Sequence, residues 1–180
     1  ISYMPVTLPY REAEAPLGIH SKFRHSDEEA SAGYYRVLLK DYNINVELTA
    51  TERCGIQRYT FPKAQSAVFL NLKKAMNWDF TQDSHIEVVD SCTIQGYRFS
   101  DGWARGQRVF FRTRFSKPFR SSEIDTTAII QDGKTIGTAY VARFNFDTTD
   151  GEEIVLCTAL SGVSMEGAAG NLAAEAPHND

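Results

Sequence analysis

Asn43-Ile44-Asn45-Val46-Glu47-Leu48-Thr49-Ala50-Thr51 alternates without a break. Ile44, Val46, Leu48 and Ala50 point one way and Asn45, Glu47, Thr49 and Thr51 the other, which is the period of two of a half-buried β-strand. Arg108 to Phe115 repeats the pattern, with Val109, Phe111, Thr113 and Phe115 on one face and Arg108, Phe110, Arg112 and Arg114 on the other. The outer face of that strand is therefore basic. Ile136, Thr138, Tyr140, Ala142, Phe144 and Phe146 make a third stripe, and Ile154, Leu156, Thr158 and Leu160 a fourth. Further strands are expected at 34–41, 55–61, 67–72, 86–89 and 92–99. Asp132-Gly133 and Asp150-Gly151 are dipeptides that tolerate positive φ, so each predicts a hairpin, the first joining Ala128-Ile129-Ile130 to Ile136 and the second joining Phe146 to Ile154. Interior helix signals are lacking. So many short strands predict an all-β fold, a two-sheet antiparallel β-sandwich, because a single open sheet would leave an apolar face uncovered. The charged, turn-rich stretch from Tyr10 to Glu14 and on through Pro16 is expected to be the least ordered.

The 180 residues suit one core. Lys plus Arg total 19 against 23 Asp plus Glu, a net charge of −4, so a nucleic-acid-coating role is not implied. Hydrophobic residues at 42% and charged residues at 23% are close to the globular average, which excludes a disordered or collagen-like chain. No window approaches the roughly 18 apolar residues of a membrane span, and no signal peptide opens the chain. Ile1-Ser2-Tyr3-Met4-Pro5-Val6 lacks an initiator Met and reads as cut from something longer. Gly167 to Ala176 reads as a linker or the first turns of a helix leading to a partner segment. The expected organisation is a sandwich over 1–164, truncated at its start, and a linker or helix start over 165–180.

Few residues combine into chemistry. Cys54, Cys92 and Cys157 are widely spaced and form no CxxC pair, so a zinc or thioredoxin-like site is unsupported. Each falls in an expected strand and reads as a small buried thiol, with one disulfide left open. His25, Asp27, Glu28 and Glu29 offer metal donors without a ligand spacing, and read as a solvated loop. Asp147, Asp150, Gly151, Glu152 and Glu153 lack the acidic alternation of a calcium loop and read as a hairpin tip. His85 and Glu87 share a strand face that Asp90 does not, most simply an exposed strand end. There is no GxSxG elbow, P-loop or GxGxxG. Arg105, Arg108, Arg112, Arg114, Lys117 and Arg120 interleave with Phe110, Phe111 and Phe115, but those aromatics alternate as a core does, so the basic face is expected to meet a neighbouring domain rather than nucleic acid. Trp103, in Ser100-Asp101-Gly102-Trp103-Ala104-Arg105, and Trp78, in Asn77-Trp78-Asp79-Phe80, sit in polar loops where an indole can stack on the apolar face of a pyranose. A core-capping Trp is the competing reading for both.

Longer runs resemble a known family. Ser21-Lys22-Phe23-Arg24-His25-Ser26-Asp27-Glu28-Glu29-Ala30, Gly33-Tyr34-Tyr35, Asp41-Tyr42, Val46-Glu47-Leu48-Thr49-Ala50-Thr51-Glu52-Arg53 and Arg58-Tyr59-Thr60-Phe61-Pro62 are followed by Gly102-Trp103-Ala104, Phe115-Ser116-Lys117-Pro118-Phe119 and Glu166-Gly167-Ala168-Ala169-Gly170-Asn171-Leu172. In this order they resemble the calcium-dependent exo-α-mannosidases of glycoside hydrolase family 92. The resemblance implies the N-terminal β-sandwich of such an enzyme and the linker into an (α/α)6 catalytic domain, its partner in the same polypeptide. It implies inverting hydrolysis of terminal α-mannosides from mannan or N-glycans, using two carboxylates roughly 6.5–9.5 Å apart. Those carboxylates and the ligands for Ca2+ belong to the helical domain, so no catalytic residue and no metal ligand is expected in this chain, which alone should be inert. Trp103 is the candidate substrate contact. Gln57 departs from the family, which often carries His there, and a histidine-containing loop that normally precedes the segment matching Ile1 is missing. An enzyme acting on external glycans implies a periplasmic, secreted or cell-surface location. The alternatives are a stand-alone carbohydrate-binding module and a purely structural interaction domain.

Overall fold

The computed structural model describes residues 1–10, 19–74 and 78–177. The four stripes become strands, and their apolar faces meet. In chain order the strands are β1 (Ser2–Thr7), β2 (Glu28–Ser31), β3 (Tyr34–Leu39), β4 (Ile44–Ala50), β5 (Cys54–Phe61) and β6 (Ala64–Asn71). They continue as β7 (Phe80–Asp90), β8 (Thr93–Asp101), β9 (Gln107–Phe115), β10 (Ser121–Gln131), β11 (Lys134–Thr148) and β12 (Glu152–Ser161), followed by helix α1 (Met165–Glu175). A four-stranded sheet has the order β1-β6-β11-β10 and an eight-stranded sheet the order β2-β3-β4-β5-β12-β9-β8-β7. Every pairing is antiparallel. The two-sheet sandwich expected from the alternation is the fold.

Aromatic rings join the layers. Phe115 of the large sheet lies 5.4 Å from Phe144 and 5.8 Å from Phe146 of the small one, and all three are fully buried with Tyr59, Phe61 and Phe111. One polar string crosses this interior: the Tyr3 hydroxyl meets Thr113 Oγ1 at 2.5 Å, and Thr113 meets Thr158 Oγ1 at 2.9 Å. Burial raises the Tyr3 phenol to about 12, so it stays neutral and serves only as a hydrogen-bonding group.

Two expectations are corrected. Asp132-Gly133 does close a hairpin between β10 and β11, with both residues at positive φ. Asp150-Gly151 does not: β11 and β12 lie in different sheets. Thr148 still pairs with Ala64 in the small sheet while Glu152 pairs with Phe61 in the large one, so the turn carries the chain over the edge of the sandwich. The Pro62-Lys63 link between β5 and β6 makes the same crossing beside it, tied by Gly151 N–H to Phe61 O at 2.9 Å and Thr148 Oγ1 to Pro62 O at 2.8 Å. Dipeptide chemistry specifies a turn, not the partner of the next strand. The second correction is Cys92, which sits half-buried in the Ser91–Cys92 turn ahead of β8 rather than in a strand. The stretch expected to be least ordered lies, apart from Tyr10, outside the described residues.

Residues 165–175 form an 11-residue helix. Ser164 caps it, accepting from Gly167 N at 3.0 Å, and Pro177 follows its end, where it cannot continue a helix. α1 lies on the outer face of the large sheet and covers Cys54, Cys157 and Ala159 with Leu172 and Ala176.

Candidate functional site

The tryptophans meet at one end of the sandwich. Trp78 precedes β7 and Trp103 follows β8, and since Phe80 pairs with Asp101 across those strands, both indoles are delivered to the same edge. Neither caps a core: Trp103 is 91% exposed and Trp78 75%. They line a cavity of about 600 Å³. Its remaining walls come from both sheets and the segments beside them, with Ile1, Ser2, Asn71 and Lys74 on the side of the small one and Asp79, Arg98 and Gln107 on the side of the large one.

A polar floor fixes the geometry. Arg98 Nη1 donates to Asp79 Oδ2 at 2.6 Å and Nη2 to Oδ1 at 3.3 Å, a two-pronged pair suited to the planar guanidinium. Arg98 Nε also reaches Leu72 O at 3.2 Å and Thr81 Oγ1 at 3.0 Å, which ties the segment before β7 to the end of β6. The Arg98 hydrogen bonds hold the Asp79 carboxyl below the usual range, so it is ionised and occupied rather than poised as a proton donor. The Trp103 loop is closed on itself. Gly106, at positive φ, donates to Asp101 Oδ1 at 2.5 Å, and Gln107 Nε2 to Ala104 O at 3.2 Å. Gly102 locks the two loops together, since a Cβ there would stand 2.6 Å from both Trp78 O and Asp79 Cα. Two exposed ring systems beside hydrogen-bonding side chains can take a ligand with apolar faces and polar edges.

The other candidates resolve into structural groups. Asp27 pairs with Lys40 at 2.9 Å, and the neighbouring ammonium lowers its carboxyl; Glu29 pairs with Arg36 and His25 with Glu28, each at 3.7 Å. Glu152 accepts from Lys117 Nζ at 2.6 Å and Thr149 N at 2.8 Å, so the Asp150-Gly151 turn keeps its carboxylate for itself. His85 and Glu87 do share the outer face, 3.7 Å apart, and His85 is flanked by the rings of Tyr97 and Tyr140. Asp90 instead caps the next turn, accepting from Cys92 N at 2.7 Å. On the basic face Arg108 lies over Phe99, Arg112 donates to Gln95, and Arg114 donates to the Ala176 carbonyl; part of that face therefore meets α1 of the same chain. Gln57 accepts from the buried Tyr59 hydroxyl at 2.5 Å. Among the described residues no three His, Cys, Asp or Glu side chains are grouped to hold a metal ion. What the sequence reading missed is the Asp79–Arg98 clamp, and the only sequence signal for it was Asp79 directly following Trp78.

Comparison with known proteins adds the following. The chain matches the family model described as the glycosyl hydrolase family 92 N-terminal domain over residues 1–161. Among solved structures it is similar to a family GH92 α-mannosidase from Bacteroides thetaiotaomicron in complex with mannoimidazole, at 28% identity and TM-score 0.82, covering 94% of this chain and 24% of that one. A family GH92 inverting mannosidase from Bacteroides thetaiotaomicron VPI-5482 has the same fold at 21% identity and TM-score 0.77, with 99% of this chain and 24% of that one covered. No curated protein matches. The chain thus spans about a quarter of the length of the solved chains it matches.

Proposed function

Because the chain belongs to the family of glycosyl hydrolase family 92 N-terminal domains, we propose that it is the β-sandwich of an exo-α-mannosidase, packing on a catalytic domain and walling the mannoside-binding cleft with Trp103. The observation that carries this reading is the 91% exposure of Trp103, facing the same cavity as Trp78. An indole so exposed contributes little to the sandwich itself, whereas it can stack on a sugar ring once a second wall encloses the cavity. The likeness to α-mannosidases supports the substrate class. In this reading the parent enzyme removes terminal α-mannosides of mannan or N-glycan with inversion, and its general acid, general base and Ca2+ ligands lie outside this chain. The linker role extends from residue 165 onward, and the enzyme works in the periplasm, at the cell surface or outside the cell, which fractionation of the parent protein tests.

Three measurements test the proposal. Hydrolysis of an aryl α-mannoside with calcium present is expected of the full-length protein and not of this chain alone. Calorimetry of this chain against mannose and α-mannobiose is expected to give no heat, because one wall does not enclose a sugar; heat at millimolar sugar would favour a self-sufficient carbohydrate-binding module. Trp103→Ala in the full enzyme is expected to weaken kcat/KM, and unchanged kinetics would reduce Trp103 to a surface residue.

A further inference from the structure

Helix α1 seals a small second core of Cys54, Cys157, Ala159, Leu172 and Ala176, separate from the main core between the sheets. Its apolar hold is slight. From 165–176 only Ala168, Leu172 and Ala176 are buried, and Gly167 and Gly170 weaken the helix itself. One flank is unpacked, where a crevice of about 370 Å³ opens between Asn171 and the strand ends at Arg108 and Leu160. Polar clasps make up the difference. Glu175 Oε2 accepts from Thr51 Oγ1 at 2.6 Å and from Arg53 N at 2.8 Å. Arg53 Nε lies 2.6 Å from Glu175 Oε1, close enough to pair as ions although not aligned as a hydrogen bond. Asn171 Nδ2 donates to Leu160 O at 2.8 Å. Glu175 ends the helix, where the dipole disfavours a carboxylate, so its place there depends on those partners.

We propose that α1 is a latch that opens as a unit while the sandwich stays folded, that Glu175 is its catch, and that opening uncovers two masked thiols, Cys54 and Cys157. Both are nearly inaccessible when the latch is shut, at 2% and 3% exposed. The Cys54 thiol even donates to the latch, to Asn171 O at 3.7 Å. The thiols do not protect each other. Cys54 stands opposite Ala159 and Cys157 opposite Ile56, which makes them diagonal neighbours on one sheet face. Such neighbours are roughly 7–8 Å apart, beyond the usual reach of a disulfide. Opening the latch therefore delivers two free thiols to electrophiles.

The test is alkylation of the chain with iodoacetamide, read cysteine by cysteine by mass spectrometry, with half-buried Cys92 as the reference. Cys54 and Cys157 are expected to react at a common rate, slower than Cys92 and only weakly raised by sub-denaturing urea, because a latch exposes little surface. Glu175→Gln is expected to speed both about tenfold without lowering the thermal midpoint of the sandwich. Glu52→Gln, which removes a carboxylate 3.3 Å from the same Arg53, is expected to change neither. The proposal is overturned if the two thiols label only at the rate and with the urea dependence of global unfolding, or if Glu175→Gln accelerates them no more than Glu52→Gln. Should Glu175→Gln fail to fold, hydrogen exchange of the unaltered chain decides: amides of 168–176 exchanging well ahead of β12 support the latch, and equal rates refute it.

Discussion

Replacing Gly102 with Ala should damage the tryptophan site while leaving the sandwich folded. The added Cβ would stand 2.6 Å from Trp78 O and Asp79 Cα, where ordinary contact begins at 3.4 Å. One loop must therefore retreat by about 0.8 Å. Overpacking of this kind costs roughly 1–3 kcal/mol. Against it stands the roughly 0.4–1 kcal/mol that Gly→Ala contributes by restricting the unfolded chain. The net expectation is a loss of about 1–2 kcal/mol, or roughly 3–6 °C in Tm for a domain of this size. Gly170→Ala is the matched control. It is exposed in α1 with nothing within 4 Å of its missing Cβ, so its sign should be opposite, a gain of about 0.5–1 kcal/mol. Thermal denaturation gives both numbers, and native-state fluorescence locates the damage, because the chain's two tryptophans are both at this site. A Gly102→Ala chain as stable as the parent, with unchanged indole emission, would refute the account of how the loops are locked.

Other expectations follow from the same geometry. Trp103→Ala and Trp78→Ala should each shift unfolding free energy by less than about 0.5 kcal/mol, as exposed positions do; a loss above about 1.5 kcal/mol in urea titrations would mean the indoles pack on the domain after all. Phe115→Ala removes a ring that touches Phe119, Phe144 and Phe146, and should cost about 3–5 kcal/mol, measured by chemical denaturation. Asp79 titrates below its unfolded value because Arg98 hydrogen-bonds it, so the pair's contribution is complete above about pH 4 and is lost as pH falls through the lower folded value. Asp79→Asn should therefore melt below the parent at pH 7, and the gap should close in acid; a gap independent of pH would contradict the pairing.

The stripes at β4, β9, β11 and β12 were readable because apolar and polar residues alternate along them, in β12 even though Cys157 and Ala159 on its other face lie under α1. β10 was legible only at Ala128-Ile129-Ile130, ahead of the Asp132-Gly133 turn. Only Ile129 of its residues is less than exposed, so the strand is specified by its ladder to β11 and not by any apolar period. The start of β7 hid behind Thr81 and Ser84, polar residues that turn inward yet are buried at 6% and 1% exposed. The Leu72 and Thr138 carbonyls accept their hydroxyl protons, a satisfaction that no local pattern reports. α1, poor in large side chains, had no apolar stripe to mark it. At the site, residue type and polar surroundings singled out Trp103, but exposure depends on what lies across from a ring. That was settled by strand pairing between Phe80 and Asp101, not by the sequence near either indole.

The side-by-side crossings at Pro62-Lys63 and Asp150-Gly151 bind the two sheets as a spine binds pages. β6 leaves that spine at Ala64 and arrives at the tryptophan cavity at Asn71, some 25 Å away. At that far end Thr81 and Arg98 of the large sheet both reach Leu72 O, just beyond β6, so the covers are clasped at the fore-edge as well as at the spine, and the gap in front of the indoles is held at a set width.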